Sequence, residues 1–259
     1  MKIWVIRRRT LRMALLIAVG AVLAAVLGTS VVRRAVPAAA PARKIPIYSV
    51  ETAEKKISIS FDAAWGNEDT EQLIEELAQF NVKATFFVVG QWVDKYPESV
   101  KALADAGHEV MNHSNTHPHM PQLSAAQMRA EIEACNQKIA SVTGKTPTLL
   151  RPPYGDYNNT LVETLQAMGM YCVQWDVDSL DWKDLSATEI TQRVTSRVRN
   201  GSIVLFHNAA KHTPEALPGI LDELINKQWY TIVPISQLIH PGVYLGDHEG
   251  RQHPSAASG

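Results

Sequence analysis

What most restricts this chain is a repeated exchange of short apolar runs and longer amphipathic ones across residues 57–234. Ile57-Ser58-Ile59-Ser60-Phe61 alternates with period two and reads as a strand. Residues 70–80 then place Leu73, Ile74, Leu77 and Phe80 on one helical face, with Asn67 or Asp69 available as a cap. Further strands are expected at 84–89, 108–111, 148–150, 171–175, 202–206 and 230–234. Helices are expected at 97–106, 124–143, 159–168, 187–198 and 214–227. Gly107 and Gly144 stand where two of these helices should stop. Most of the strands are continuous apolar runs, the signature of a parallel sheet covered by helices. About seven strand–helix units in about 190 residues fit a closed or nearly closed β/α barrel better than an open sheet with large insertions.

The N-terminal end obeys a different rule. Residues 13–32 form an unbroken apolar run behind Arg7, Arg8, Arg9 and Arg12. Twenty such residues in a helix rise about 30 Å, the thickness of a bilayer's hydrocarbon core. The length of the run, and Arg33 and Arg34 directly after it, favour a retained membrane anchor over a cleaved signal peptide. A cleaved peptide would find small residues at Ala38, Ala39 and Ala40. The leading arginines orient the N-terminus inside and the remainder extracytoplasmic, while Arg43 and Lys44 on the far side weaken that bias. The chain therefore divides into a basic end with transmembrane segment (1–34), an Ala/Pro-rich linker (35–49), one folded domain (50–246) and a polar tail (247–259). A formal net charge of -1 gives no electrostatic case for a nucleic-acid partner. Cys135 and Cys172, outside any CxxC spacing, read as small buried residues.

In a β/α barrel, chemistry gathers at the C-terminal ends of the strands. Asp62, His113, Arg151, Asp178 and His207 each follow or close an expected strand. Asp62 can serve as general base toward a metal-bound water, or simply cap the next turn. His113 and His117 are four apart, a spacing that on one helical turn lets both imidazoles hold a divalent ion. His119 is a further ligand or a loop residue. Arg151-Pro152-Pro153-Tyr154-Gly155 is a stiff loop able to aim a guanidinium at a carboxylate and to fix backbone N–H groups. Asp181 and Trp182 supply a carboxylate and an indole suited to the wall of a sugar site. His207 closes the run Leu205-Phe206-His207; it is structural, or, paired with Asp181, a general acid.

Taken in order, these five segments resemble the NodB-homology polysaccharide deacetylases, carbohydrate esterase family four, over residues 56–239. The resemblance implies a distorted (β/α) barrel and hydrolysis of N-acetyl groups on N-acetylglucosamine-type glycans such as peptidoglycan. It also implies a divalent metal, usually zinc and sometimes cobalt or nickel. It assigns Asp62 as catalytic base, His113 and His117 as metal ligands, Arg151 as the arginine orienting the base, and the Tyr154 N–H as an oxyanion donor. Asp181 tunes the acid His207, while Trp182 and Leu205 line the substrate pocket. The segment S-F-D-A-A-W-G-N-E-D-T resembles the sporulation-associated branch. The family's usual T-F-D-D-G carries its third metal ligand where this chain has Ala63. An active metal-dependent deacetylase, a glycan-binding pseudoenzyme with an impaired metal site, and an amidase or esterase acting on a different acyl compound are thus the expectations.

Overall fold

The computed structural model describes residues 7–34 (side chains of 7–25), 42–243 and 246–254. The chain separates into two compact units, residues 1–42 and 43–259. The first contains one helix, Arg8–Arg34. Among the described residues no helix is long and apolar enough to cross a membrane. Arg8, Arg9 and Arg12 fall within the part of the helix whose side chains are described, and residues 26–32 of the expected apolar run lie outside it. The expected helix is present, but its membrane-spanning character is not supported there. Ala38, Ala39 and Ala40 lie outside the described residues.

Among the described residues the second unit carries ten strands: β1 (Ser49–Val50), β2 (Lys56–Ala63), β3 (Thr85–Val88), β4 (Glu109–Asn112), β5 (Leu149–Leu150), β6 (Tyr171–Cys172), β7 (Val177–Asp178), β8 (Ile203–His207), β9 (Thr231–Ile232) and β10 (Arg251–Gln252). The main sheet is all parallel and runs β6-β5-β4-β3-β2-β8-β7, with β9 added to the start of β2. This is the expected barrel, left open: β6 and β7 are consecutive in the chain yet occupy opposite ends of the sheet. The expected strand at 171–175 therefore stops at Cys172, and the chain crosses the opening before pairing with β8. Ile47 sits in that opening, donating its N–H to Cys172 O and accepting from Gln174 N–H. Ser49 bridges to Ser202 on the other side.

This bridging corrects both ends of the expected domain. Packing begins before Val50, because Ile47 is fully buried. The segment from 247 is not a loose tail as far as it is described, because β10 pairs in parallel with β1 and buries Gln252; residues 255–259 lie outside the description.

Alternation sorts the strands' two faces. Ile57, Ile59 and Phe61 join the apolar layer beneath the helices, where Phe61 stacks on Phe86 and Phe206 at centroid distances of 4.7 and 5.5 Å. Ser58, Ser60 and Asp62 form a buried polar column on the other face. Beside it Phe87, Met111, Leu149 and Ile203 join Ile47 and Val50 in a second apolar cluster. Cys135 and Cys172 are free and buried. The long helix Ala125–Thr143 starts on a Ser124/Gln127 capping box and ends at Gly144 in the left-handed region. A short helix, Gly90–Lys95, has no counterpart in the expected pattern.

The bridging segment rests on Gly201, which has a φ of +81° and stands against Val50 O, where a Cβ would collide. Gly169 has a φ of +71° with open space around it. Gly201→Ala should therefore cost about 2–3 kcal/mol in denaturant unfolding, against about 1 kcal/mol for Gly169→Ala. Equal costs would mean that the bridging segment adds nothing to stability.

Candidate active site

Strand register does the first part of the assembly. Asp62 on β2 lies directly beside His207 on β8, and Leu205 beside Asp178 on β7. On the other flank Asn112 pairs with both Val88 and Leu150, so His113 and Arg151 leave the sheet at one level. Every candidate residue except Arg151 and His119 lines a single cavity of about 810 Å³ at this edge.

Arg151 lies beneath that cavity, fully buried. Its Nη1 donates to Asp62 Oδ1 at 2.8 Å, and its Nη2 donates to Ser60 Oγ at 2.8 Å and Gln174 O at 3.1 Å. The guanidinium is sandwiched over Phe87 and near Trp175, 4.3 and 5.5 Å from the ring centres. Burial alone would raise the Asp62 pKa, but the charges of Arg151, His113 and His207 outweigh it and hold the carboxyl below its usual range. Ser60 and Gln174 were not singled out from the sequence. Ser60 was legible in principle, as the polar position two before Asp62 in an alternating strand.

The two candidate metal-binding imidazoles do meet, with ring centroids 5.0 Å apart, but not on a helical turn. Ser114 and His117 both take left-handed backbone, φ 66° and 60°, and curl residues 113–117 into a loop. Side chains fasten it: Asn112 Oδ1 accepts from Ser114 N–H, and Glu131 accepts from the N–H groups of Asn115 and Thr116. His113 Nδ1 is 2.8 Å from Arg151 O; a carbonyl only accepts, so this nitrogen carries the proton. Nε2 is then the free lone pair of the neutral ring, and it faces Asp62 Oδ2 at 3.6 Å. Burial, foremost, pushes the His117 pKa down to about 4, with His113 adding to it. His119 does not join this pair. It sits 3.2 Å from Asp156 and stacks on Tyr154.

These residues fall short of a complete metal site. Among the described residues no group of three or more His, Cys, Asp or Glu side chains could hold a metal ion. Ala63 is buried in the apolar layer. Of the carboxylates that follow it in the chain, Asp69 accepts from Ala209 N–H, and Glu68 lies against Gly66. The expected zinc-type centre is therefore reduced to two imidazoles.

Across the cavity Asp181 is almost wholly buried and its carboxylate is filled on three sides. Oδ1 lies 2.8 Å from His207 Nδ1, while Oδ2 accepts from His207 N–H and from Thr213 Oγ, both at 2.7 Å. Burial would lower the His207 pKa; the hydrogen bond and charge of Asp181, with Asp62 and Asp178 behind it, overcome this and raise it. The cavity thus holds an ionised carboxylate facing a histidine biased toward its cation. Tyr154, with φ 60°, and Trp182 stand exposed at the rim.

The chain's residues 49–173 match the family model for polysaccharide deacetylase. It is 31% identical over 196 residues to Peptidoglycan-N-acetylmuramic acid deacetylase PdaA of Bacillus subtilis, covering 74% of each chain. The chain belongs to the polysaccharide deacetylase family. It is also 33% identical over 220 residues to Peptidoglycan-N-acetylglucosamine deacetylase PgdA of Listeria monocytogenes, covering 85% of this chain and 46% of that protein. Among solved structures, a polysaccharide deacetylase relative described as a BA3943 mutant, a pseudoenzyme with restored enzymatic activity, matches with a TM-score of 0.72. The identity is 35%, and the match covers 77% of this chain and 71% of that one. The chain spans 40–60% of the length of the first curated relatives it matches.

Removing the charge of Asp181 leaves burial as the main influence on His207. In Asp181→Asn the imidazole should titrate below the ordinary histidine range by NMR, whereas the wild type titrates above it. A raised folded-state pKa gives stability that is present below the unfolded value and lost as pH rises through the folded one. The stability gap between wild type and Asp181→Asn should accordingly be largest in mild acid and shrink with rising pH. A gap that grows instead would contradict the assigned pairing.

Proposed function

We propose that this pocket binds an N-acetylated cell-wall glycan and hydrolyses its acetamide, with Asp62 as base and His207 as acid. The observation that carries this reading is the pairing itself. One wall presents a carboxylate kept ionised by Arg151, and the strand beside it presents a histidine driven toward its cation by Asp181. Two titratable groups pushed apart in this way divide the acid and base roles of a hydrolysis between them. Asp62 is available to take a proton from an attacking water. His207 can return one to the departing amine, whose release would otherwise require expelling an amide anion. The Tyr154 N–H is the proposed donor to the oxyanion, and Leu205 and Trp182 the proposed walls for the acetyl group and sugar. The peptidoglycan substrate class is carried over from the names of PdaA and PgdA. A role in sporulation rests on the S-F-D-A-A-W-G-N-E-D-T segment alone. We also place the folded unit outside the cell membrane, tethered through the basic-flanked N-terminal helix; the support is the apolar run at 13–32.

A second reading, a glycan-binding pseudoenzyme, has its own observation. Ala63 supplies no carboxylate, and a base held as low as Asp62 is weak toward ordinary water. Likeness to BA3943, called a pseudoenzyme in its wild-type form, points the same way.

Acetate release separates the two. The full chain, stripped with chelator and refilled with zinc or cobalt, would be offered N-acetylglucosamine oligomers and peptidoglycan. Release that falls about 10²–10⁴-fold in both Asp62→Asn and His207→Ala, with glycan affinity kept, supports the hydrolase. Binding with no release under any metal would leave the pseudoenzyme reading.

A further inference from the structure

Trp65 belongs to none of the pairs described above, yet it occupies the rim of the same cavity. Its indole is 61% exposed. Its backbone is held from two sides. Trp65 O accepts from Trp92 Nε1 at 2.6 Å and from Asn208 Nδ2 at 3.1 Å, while Asn208 Oδ1 accepts from Ala64 N–H at 3.2 Å. Trp92 and Asn208 are themselves buried, so the turn after β2 is bolted to the fold. An exposed indole on a fixed backbone leaves apolar surface in water.

The setting of that surface is specific. In the folded unit, among the described residues, four large apolar side chains are exposed: Trp65, Tyr154, Trp182 and Trp229. The first three edge this one cavity. Trp65 and Tyr154 both stand edge-on against the His117 ring, with centroids at 5.4 and 4.6 Å. Trp182 instead follows Asp181, the partner of His207. The rim thus has one aromatic beside the proposed acid and two on the imidazole side. A pyranose ring offers a flat face of C–H groups, and rigid aromatics bury such a face at little entropic cost.

We propose that Trp65 is a sugar-stacking residue that sets a preference for glycans longer than one unit, holding the ring next to the one whose acetamide reaches Asp62 and His207. This rests on the glycan reading above and adds a specificity-determining residue to it.

Calorimetric binding of the full chain to N-acetylglucosamine and to its tetrasaccharide tests it without depending on turnover. The comparison uses wild type, Trp65→Ala, Trp65→Phe and, as an exposed tryptophan away from the cavity, Trp229→Ala. Trp65→Ala should weaken tetrasaccharide binding about tenfold and leave monosaccharide binding unchanged. Trp65→Phe should keep most of the affinity, and Trp229→Ala all of it. Equal tetrasaccharide affinity in wild type and Trp65→Ala overturns the inference while leaving the glycan reading intact. An equal loss for both sugars also overturns it, since Trp65 would then touch only the reacting ring. A wild type that binds neither sugar overturns the glycan reading together with this one.

Discussion

The buried guanidinium of Arg151 is the constraint around which the site is organised. A full positive charge removed from water must be paired and hydrogen-bonded or it is prohibitively costly. Asp62 on β2, Ser60 two residues earlier and the carbonyl of Gln174 beyond β6 supply that pairing. These partners come from opposite parts of the sheet, so the arginine can be satisfied only when the strands have curled into register. A buried ion pair is weak evidence of stability, since apolar replacements often serve stability as well or better. Its value here is positional: Asp62 can neither rotate away nor pick up a proton without unpairing Arg151. The same loop passes Arg151 O to His113, which fixes the tautomer of that ring. One residue thus sets the charge of the carboxylate and the free nitrogen of the imidazole.

Much of this was legible in the sequence, and the misses share a cause. Long periodic segments were readable: the helices at Thr70–Gln79 and Ala125–Thr143 and the strand Lys56–Ala63 fall within a residue or two of expectation. So was the principle that reactive residues sit at strand ends, since register alone places Asp62 beside His207. What escaped has no period to detect. Ile47 enters the opening by single bridges, and β1 and β10 are two-residue strands that pair across two hundred positions of chain. Because a sheet opening can be filled by any short extended segment, local pattern does not announce which one fills it. The His113–His117 pair illustrates a related limit. The spacing suggested a helical turn, whereas two left-handed residues pinned by Asn112 and Glu131 bring the rings together in a loop. Spacing identified the pair but not the geometry that makes it.

The cavity is electrically divided. On one side Arg151 keeps Asp62 ionised, and Asp181 holds His207 by two hydrogen bonds and biases it toward its cation. On the other His113 and His117 are driven toward neutrality, both by burial first of all, and the second is enclosed by Trp65 and Tyr154. Ala63, buried in the apolar layer, supplies no carboxylate. The neutral His113 ring keeps a lone pair on Nε2 that can still donate to a cation. The same neutrality suits the C–H faces of a sugar, which gain from aromatic surface and nothing from charge. The Asp181–His207 pair lies off β2, held by β8 and the segment after β7. His207 and His113 thus share a cavity but draw on different partners, Asp181 and Thr213 for the first and the Arg151 carbonyl for the second.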